Sequence, residues 1–234
     1  NRNKRGMTLN PASEQGREIT QLLVASSDVV VANLPPRVLR ALGLDYESLC
    51  KVKSDIILTT INAFGAGAWE DKLGFDGLAQ AMAGNLHLSG TGGVPTRAFT
   101  PYVDYSTASL CALSTVAALM HRNRTGKGQL VEGALLKTAL AFMNAGIIEQ
   151  QFLDLDREAT LNRHPWSGPS DVFATKDGWI VCTVIGRYQF KRWCELVGGE
   201  ELLEDKRFID DRARGNHGEV LSKKMAEWCA GLTT

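Results

Sequence analysis

The chain has 234 residues, with 26 Lys+Arg balanced by 26 Asp+Glu, so no net field draws it onto nucleic acid or an anionic membrane surface. With 44% hydrophobic and 22% charged residues it has the composition of an ordinary soluble globular protein, long enough to bury a sizeable core. The longest apolar stretches, 19–32 and 108–120, are interrupted well short of the ~20 residues of a membrane span, and the basic start Asn1-Arg-Asn-Lys-Arg5 is not followed by the apolar run of a signal peptide.

In chain order, Asn10 reads as an N-cap and Pro11 as the first helical residue, with Ile19, Leu22 and Leu23 forming an apolar face up to Ala25. Asp28-Val-Val-Val-Ala-Asn33 is a β-branched run that predicts a buried strand, ended by Pro35-Pro36. Two short helices follow, over 38–42 and 46–52, and then a second buried strand over 55–61. Strand, helical crossover and strand make a βαβ unit and hence a parallel sheet. Residues 64–69 read as a loop, 74–83 as a helix and 89–95 as a Gly-rich connection.

Asp104 opens a stretch with no Gly or Pro before Gly126, about 30 Å if helical throughout. Its first half is lined with small residues, among them Ser106, Ala108, Ser109 and Ala112. Beyond it a strand is expected over 129–132 and a second long helix over 135–153. A polar stretch over 154–169 marks a boundary. A strand over 179–185 and helices over 189–197 and 216–230 complete the chain.

Most local motifs resolve into structure. Gly90-Thr-Gly92-Gly93 has Pro95 at the sixth position of a GxGxxG pattern and no strand immediately before it, so it reads as a turn. In Thr125-Gly-Lys-Gly-Gln129 a helix precedes the glycines instead of following them, which makes Gly126 a helix C-cap and excludes a P-loop. His87, His121, His164 and His217 lack metal-ligand spacing, and Cys50, Cys111, Cys182, Cys194 and Cys229 contain no CxxC pair. Five widely spaced cysteines fit reduced thiols filling the core of a cytoplasmic protein, with neither disulfide nor zinc site. Two carboxylates remain. Asp104 at a helix start is an N-cap or, kept ionised by backbone amides and the helix dipole, a nucleophile. Asp76, just after Gly74-Phe75, is another cap or a second carboxylate of the same site.

Taken together, the motifs resemble the class III (family III) CoA-transferases, the group that includes formyl-CoA and carnitine CoA-transferases, with α-methylacyl-CoA racemase as a sister. The resemblance rests on five ordered blocks. They are Asn1-Arg-Asn-Lys-Arg5 with Met7-Thr-Leu-Asn10; Asp28-Val-Val-Val-Ala-Asn33 with Leu42-Gly-Leu-Asp-Tyr46; and Leu73-Gly-Phe-Asp76 with Gln80-Ala-Met-Ala-Gly84. Val103-Asp104-Tyr105 with His121-Arg-Asn-Arg-Thr-Gly-Lys-Gly-Gln129 is the fourth, and Asn162-Arg-His-Pro165 with Asp177-Gly-Trp-Ile-Val181 the fifth.

The resemblance implies a Rossmann-like parallel α/β large domain over 1–156, then a linker and part of a smaller α/β domain over 157–234, in a family that forms interlocked homodimers. It implies transfer of coenzyme A between an acyl-CoA thioester and a free carboxylic acid, with Asp104 as the nucleophile that becomes an aspartyl-CoA thioester. CoA contacts are implied at Leu9, Asn10, Pro11 and Ala12, at Asn33, Leu34 and Pro35, at Arg40, and at Leu73, Gly74, Phe75 and Asp76. CoA and acyl-CoA are then substrates, with no permanently bound cofactor, no metal, and no nucleic-acid or membrane partner. Leu34 stands where the family has an aromatic residue, and Ala108 where it often has Gly.

The racemase needs a pair of proton-exchanging bases, one of them a His at the position held here by Phe75. Phenylalanine cannot take a proton, which favours the transferase over a 2-methylacyl-CoA racemase. A catalytically silent CoA-binding protein is the third reading, and Asp104 argues against it. The family's first strand and helix, and its return to the large domain, have no counterpart in these residues, so the chain is expected to match only a portion of the family's length.

Overall fold

The computed structural model describes residues 2–91 and 93–234. Asn1 of the first block and Gly92 of the expected turn lie outside the described residues. In chain order the elements are α1 (Glu14–Ser26), β1 (Val29–Ala32), α2 (Pro36–Leu42), α3 (Tyr46–Val52), β2 (Ile57–Asn62), α4 (Asp76–Met82), α5 (Asn85–Leu88), β3 (Gly90–Thr91), β4 (Val94–Pro95) and α6 (Tyr102–Thr125). They continue with β5 (Leu130–Ala134), α7 (Leu135–Phe142), α8 (Asn144–Leu153), β6 (Ser170–Ala174), β7 (Trp179–Thr183), α9 (Gly186–Val197), α10 (Asp211–Asn216) and α11 (Gly218–Cys229). The chain divides into two units, Asn1–Leu86 with Thr96–Arg157, and His87–Pro95 with Glu158–Thr234.

The first unit is built on a parallel sheet of order β1-β2-β5, with Val30 opposite Leu58 and Leu58 opposite Leu130. Its middle strand is covered on both faces, as parallel strands flanked by helices usually are. Leu58 belongs to a core with Val24 of α1, Leu49 of α3 and Ile56. Side chains alternate along a strand, so Thr59 faces the other way, and its hydroxyl meets that of Thr115 on α6 at 2.7 Å. At the far end of α6, Arg122 donates to the backbone oxygen of Asp28 at 3.2 Å and to its carboxylate at 2.9 Å, which ties the helix to the start of β1.

Several local expectations need correction. Asn10-Pro11 is a turn ahead of the helix, not its cap. The Asn10 carbonyl accepts the Ser13 amide at 3.2 Å, and its side chain accepts the Ala12 amide at 3.1 Å. The helix begins at Glu14, capped by the Ser13 hydroxyl, which accepts the Gly16 amide at 3.1 Å. Asn followed by Pro serves a turn as readily as a helix start, and it is the later Ser13 whose oxygen takes an amide of the helix itself.

The first strand is an edge with Val31 67% exposed, because β-branched character predicts a strand but not how many layers cover it. The expected helix over 135–153 breaks at Met143, where φ and ψ leave the helical region (−89°, 1°), while the one over 216–230 is α11, preceded by the short α10. No Gly or Pro stands at Met143 to announce the break.

α6 starts two residues before Asp104 and stops at Gly126, whose φ of 72° is the left-handed geometry of a C-cap. The expectation that no helix is long and apolar enough to cross a membrane is corrected for α6, which is so by length and composition. It packs against β5 and β2, with Val103, Thr107, Cys111 and Ala118 buried, and leaves Leu110, Leu113, Val116 and Met120 exposed.

In the second unit β6 and β7 pair antiparallel, with Val172 opposite Val181. Phe173, Phe190, Trp193, Phe208, Leu221 and Met225 form its core. Within this unit β3 and β4 pair as a short antiparallel ladder.

Candidate active site

Asp104 is the third residue of α6, and it does not cap the helix as the sequence reading allowed. The residue before the helix is Pro101, which has no N–H, so an acidic side chain at the third position cannot make the usual return bond to the cap amide. The other free amides are already used. Tyr102 N–H donates to the Thr100 carbonyl at 2.8 Å, while Val103 and Asp104 N–H donate to one carboxylate oxygen of Asp76 at 2.8 and 3.1 Å. Asp76, at the start of α4, thus supplies the cap that α6 lacks in its own sequence.

The Asp76 carboxylate is 7% exposed and held from behind. Gln80, one turn further along α4, donates to its second oxygen at 2.5 Å and accepts the Ala98 amide at 3.1 Å. α4 itself is seated by small residues. A Cβ at Gly74 would lie 2.7 Å from that of Ala63, just past β2, so the approach to the helix needs glycine. Ala79 and Ala83 pack with Val103, Leu135 and Ala139.

Among the described residues no donor bonds to the Asp104 side chain, and the residue is exposed. Partial burial, and then the negative charge of Asp76, push its carboxyl above the usual carboxylate range. The two carboxylates are therefore one site with divided roles. Asp76 is saturated by three donors, and Asp104 is unbonded and more basic than usual.

Of the other expected positions, Leu73, Gly74 and Phe75 adjoin Asp76 in the chain. Phe75 is the residue before α4 and is 76% exposed, and Leu73, two positions earlier, is also exposed. Asn33, Leu34 and Pro35 form the connection from β1 to α2. Arg40 on α2 is paired with Glu70 at 3.3 Å and Asp71 at 3.9 Å, and the Arg37 amide donates to Asp71 at 3.0 Å. This clasp joins α2 to the loop that leads into residues 73–76. Leu9, Asn10, Pro11 and Ala12 form the turn before α1, and no described hydrogen bond or ion pair joins them to Asp104.

A cleft of about 580 Å³ lined by Arg17, Arg40, Ser48 and Lys51 contains neither Asp76 nor Asp104. Among the described residues no group of three or more His, Cys, Asp or Glu could hold a metal ion. Gln80, Glu70 and Asp71 carried no role in the sequence reading. The four-residue spacing of Asp76 and Gln80, which puts both on one helix face, was the available signal for the first of them.

Residues 1–234, the entire chain, match CoA-transferase family III. The protein belongs to this family. The family III chain is 33% identical over 235 residues to the succinyl-CoA–D-citramalate CoA-transferase of Chloroflexus aurantiacus, covering 99% of this chain and 58% of that one. It is 34% identical over 241 residues to an acyl-CoA transferase of Fusarium pseudograminearum, covering 98% and 53%.

Among solved structures, a CaiB/BaiF family protein from Brucella suis superposes with a TM-score of 0.78 at 29% identity, over 98% of this chain and 61% of that one. A hypothetical protein from Mycobacterium tuberculosis gives 0.83 at 28% identity, over 100% and 63%. The mixed α/β architecture with its parallel sheet is thus shared with solved family members, and the chain spans little more than half the length of the curated relatives.

Proposed function

We propose that this family III protein transfers coenzyme A between an acyl-CoA thioester and a free carboxylic acid, with Asp104 as the nucleophile. The observation that carries the reading is the unbonded Asp104 carboxylate at a helix start whose amides are occupied by Asp76. The related succinyl-CoA–D-citramalate CoA-transferase, whose name pairs a CoA thioester with a dicarboxylic acid, points to the same reaction class.

The chemistry suits an aspartate. Its carboxylate attacks the thioester carbonyl and CoA thiolate departs, leaving a mixed anhydride. The thiolate then attacks the Asp104 acyl carbon, which releases the first acid as its carboxylate and forms an aspartyl-CoA thioester. The acceptor carboxylate repeats the steps in reverse and regenerates Asp104. A carboxylate is both nucleophile and leaving group here, so no other covalent residue is required. The helix dipole at the first turn stabilises the anion, while burial and the neighbouring Asp76 charge keep it basic enough to attack.

On this reading CoA is held by residues 9–12, 33–35 and 73–76 together with Arg40, which must leave Glu70 and Asp71 to meet a phosphate. The whole enzyme is then an interlocked cytoplasmic homodimer with a large domain over 1–156. The exposed apolar residues of α6 support association, and sedimentation as a monomer at micromolar concentration would remove that part.

The reaction itself is tested by incubating the whole enzyme with acyl-CoA and mapping any hydroxylamine-sensitive CoA adduct. It should lie on the peptide holding Asp104 and vanish in Asp104→Asn. An active Asp104→Asn enzyme, or an adduct on Asp76, would reject the assignment.

A further inference from the structure

We propose that Gln80, acting through Asp76, is a positioning residue for Asp104: it locks the Asp76 carboxylate in the orientation that occupies the first amides of α6, so that the Asp104 side chain stays uncapped and free to react. This inference rests on the reading of Asp104 as the nucleophile.

The orientation of the Gln80 amide follows from its partners alone. The Asp76 carboxylate can only accept and the Ala98 N–H can only donate, so the nitrogen must face Asp76 and the oxygen Ala98. Gln80 is 1% exposed, which leaves water little room to replace either bond. Three segments are joined in one chain of hydrogen bonds: Ala98 ahead of α6, Gln80 and Asp76 on α4, and the Val103 and Asp104 amides at the start of α6.

Loss of the Gln80 donor would leave the inner Asp76 oxygen buried without a partner and let the carboxylate turn away from α6. The Val103 and Asp104 amides would then be free to draw in the carboxylate on the same turn, that of Asp104 itself, as first-turn amides attract anions. A nucleophile folded back onto its own helix is bonded and misplaced. Asp76 therefore competes with Asp104 for the helix start, and Gln80 decides the competition in favour of Asp76.

The test is single-turnover formation of the CoA adduct in the whole enzyme, measured with kcat and KM for acyl-CoA, in wild type, Gln80→Met and Gln80→Glu. Gln80→Met removes both bonds; Gln80→Glu keeps the size and the acceptor for Ala98 and, buried beside the Asp76 carboxylate, is held protonated and keeps a donor for it. Gln80→Met should slow adduct formation by about ten- to a hundredfold, as small misplacements of reacting groups do, while KM stays within about twofold, and Gln80→Glu should retain most of the wild-type rate. If Gln80→Met does not fold, Gln80→Leu, which lacks both bonds as well, decides.

Adduct formation at the wild-type rate in folded Gln80→Met, or an equally large loss in folded Gln80→Glu, would overturn the proposal, as would a loss carried by KM. A wild-type enzyme that forms no adduct on Asp104 would instead reject the nucleophile reading beneath it. A wild-type adduct with an unimpaired Gln80→Met enzyme rejects the positioning role alone.

Discussion

Gly133 of β5 and Cys111 of α6 meet so closely that a Cβ added to the glycine would lie 2.2 Å from the cysteine sulfur. Together with the hydroxyl contact between Thr59 and Thr115, this approach sets how near the Asp104 helix lies to the sheet. Gly133→Ala should therefore destabilise the protein by about 1–3 kcal/mol through overpacking. Combining it with Cys111→Ala should recover part of the loss. Denaturant unfolding of the two single variants and the double variant gives the coupling, and simple additivity would mean that the sulfur is not the obstacle.

Asp104→Asn should separate stability from activity. The folded-state carboxyl is raised by burial and then by the Asp76 charge. A raised acid contributes stability that is fully present below its unfolded pKa and lost as pH rises through the folded value. At neutral pH the ionised Asp104 is thus a net cost, and the asparagine variant should unfold at an equal or higher temperature than wild type. The difference should disappear in acid, below the ordinary aspartate range. A variant markedly less stable at pH 7 would show that the helix-dipole attraction outweighs both burial and Asp76.

Asp76 should behave in the opposite way. Asp76→Ala strands the Val103 and Asp104 amides and the Gln80 side-chain donor, at about 1–3 kcal/mol for each buried group left unpaired. Asp76→Asn keeps one accepting oxygen and should lose less. Chemical denaturation midpoints for the two variants check the order. Equal, small losses would mean that α6 does not depend on this cap.

Phe75 bears on the competing chemistry. Its exposed ring beside Asp76 has no titratable proton, so the α-carbon of a 2-methylacyl-CoA should acquire no solvent deuterium during incubation with the whole enzyme in heavy water. Deuterium incorporated at a rate matching turnover would assign the protein to the racemase side of the superfamily.

Much of the architecture was legible because it depends on near neighbours in the chain. The β-branched run at 28–33, the apolar run at 55–61 and the helices between them are local patterns, and the parallel sheet followed from the need for a crossover. Gly126 ended α6 as expected, since a left-handed cap strongly favours glycine. The strand 170–174 was missed because its alternation is short and interrupted by Asp171, and its pairing with Trp179–Thr183 is what makes it a strand.

The sequence by itself determined the βαβ order, the long helix carrying Asp104 and, through five ordered blocks, the family. Only the tertiary structure decided which carboxylate does what. Whether an aspartate caps a helix depends on which amides lie within about 3 Å of its oxygens. For Asp76 those amides belong to residues 27 and 28 positions further along the chain, at Val103 and Asp104. A hydrogen bond across that separation has no periodicity and no local motif. It exists because α4 and α6 pack together through Ala79, Ala83 and Val103, and that packing leaves Asp104 as the unbonded member of the pair.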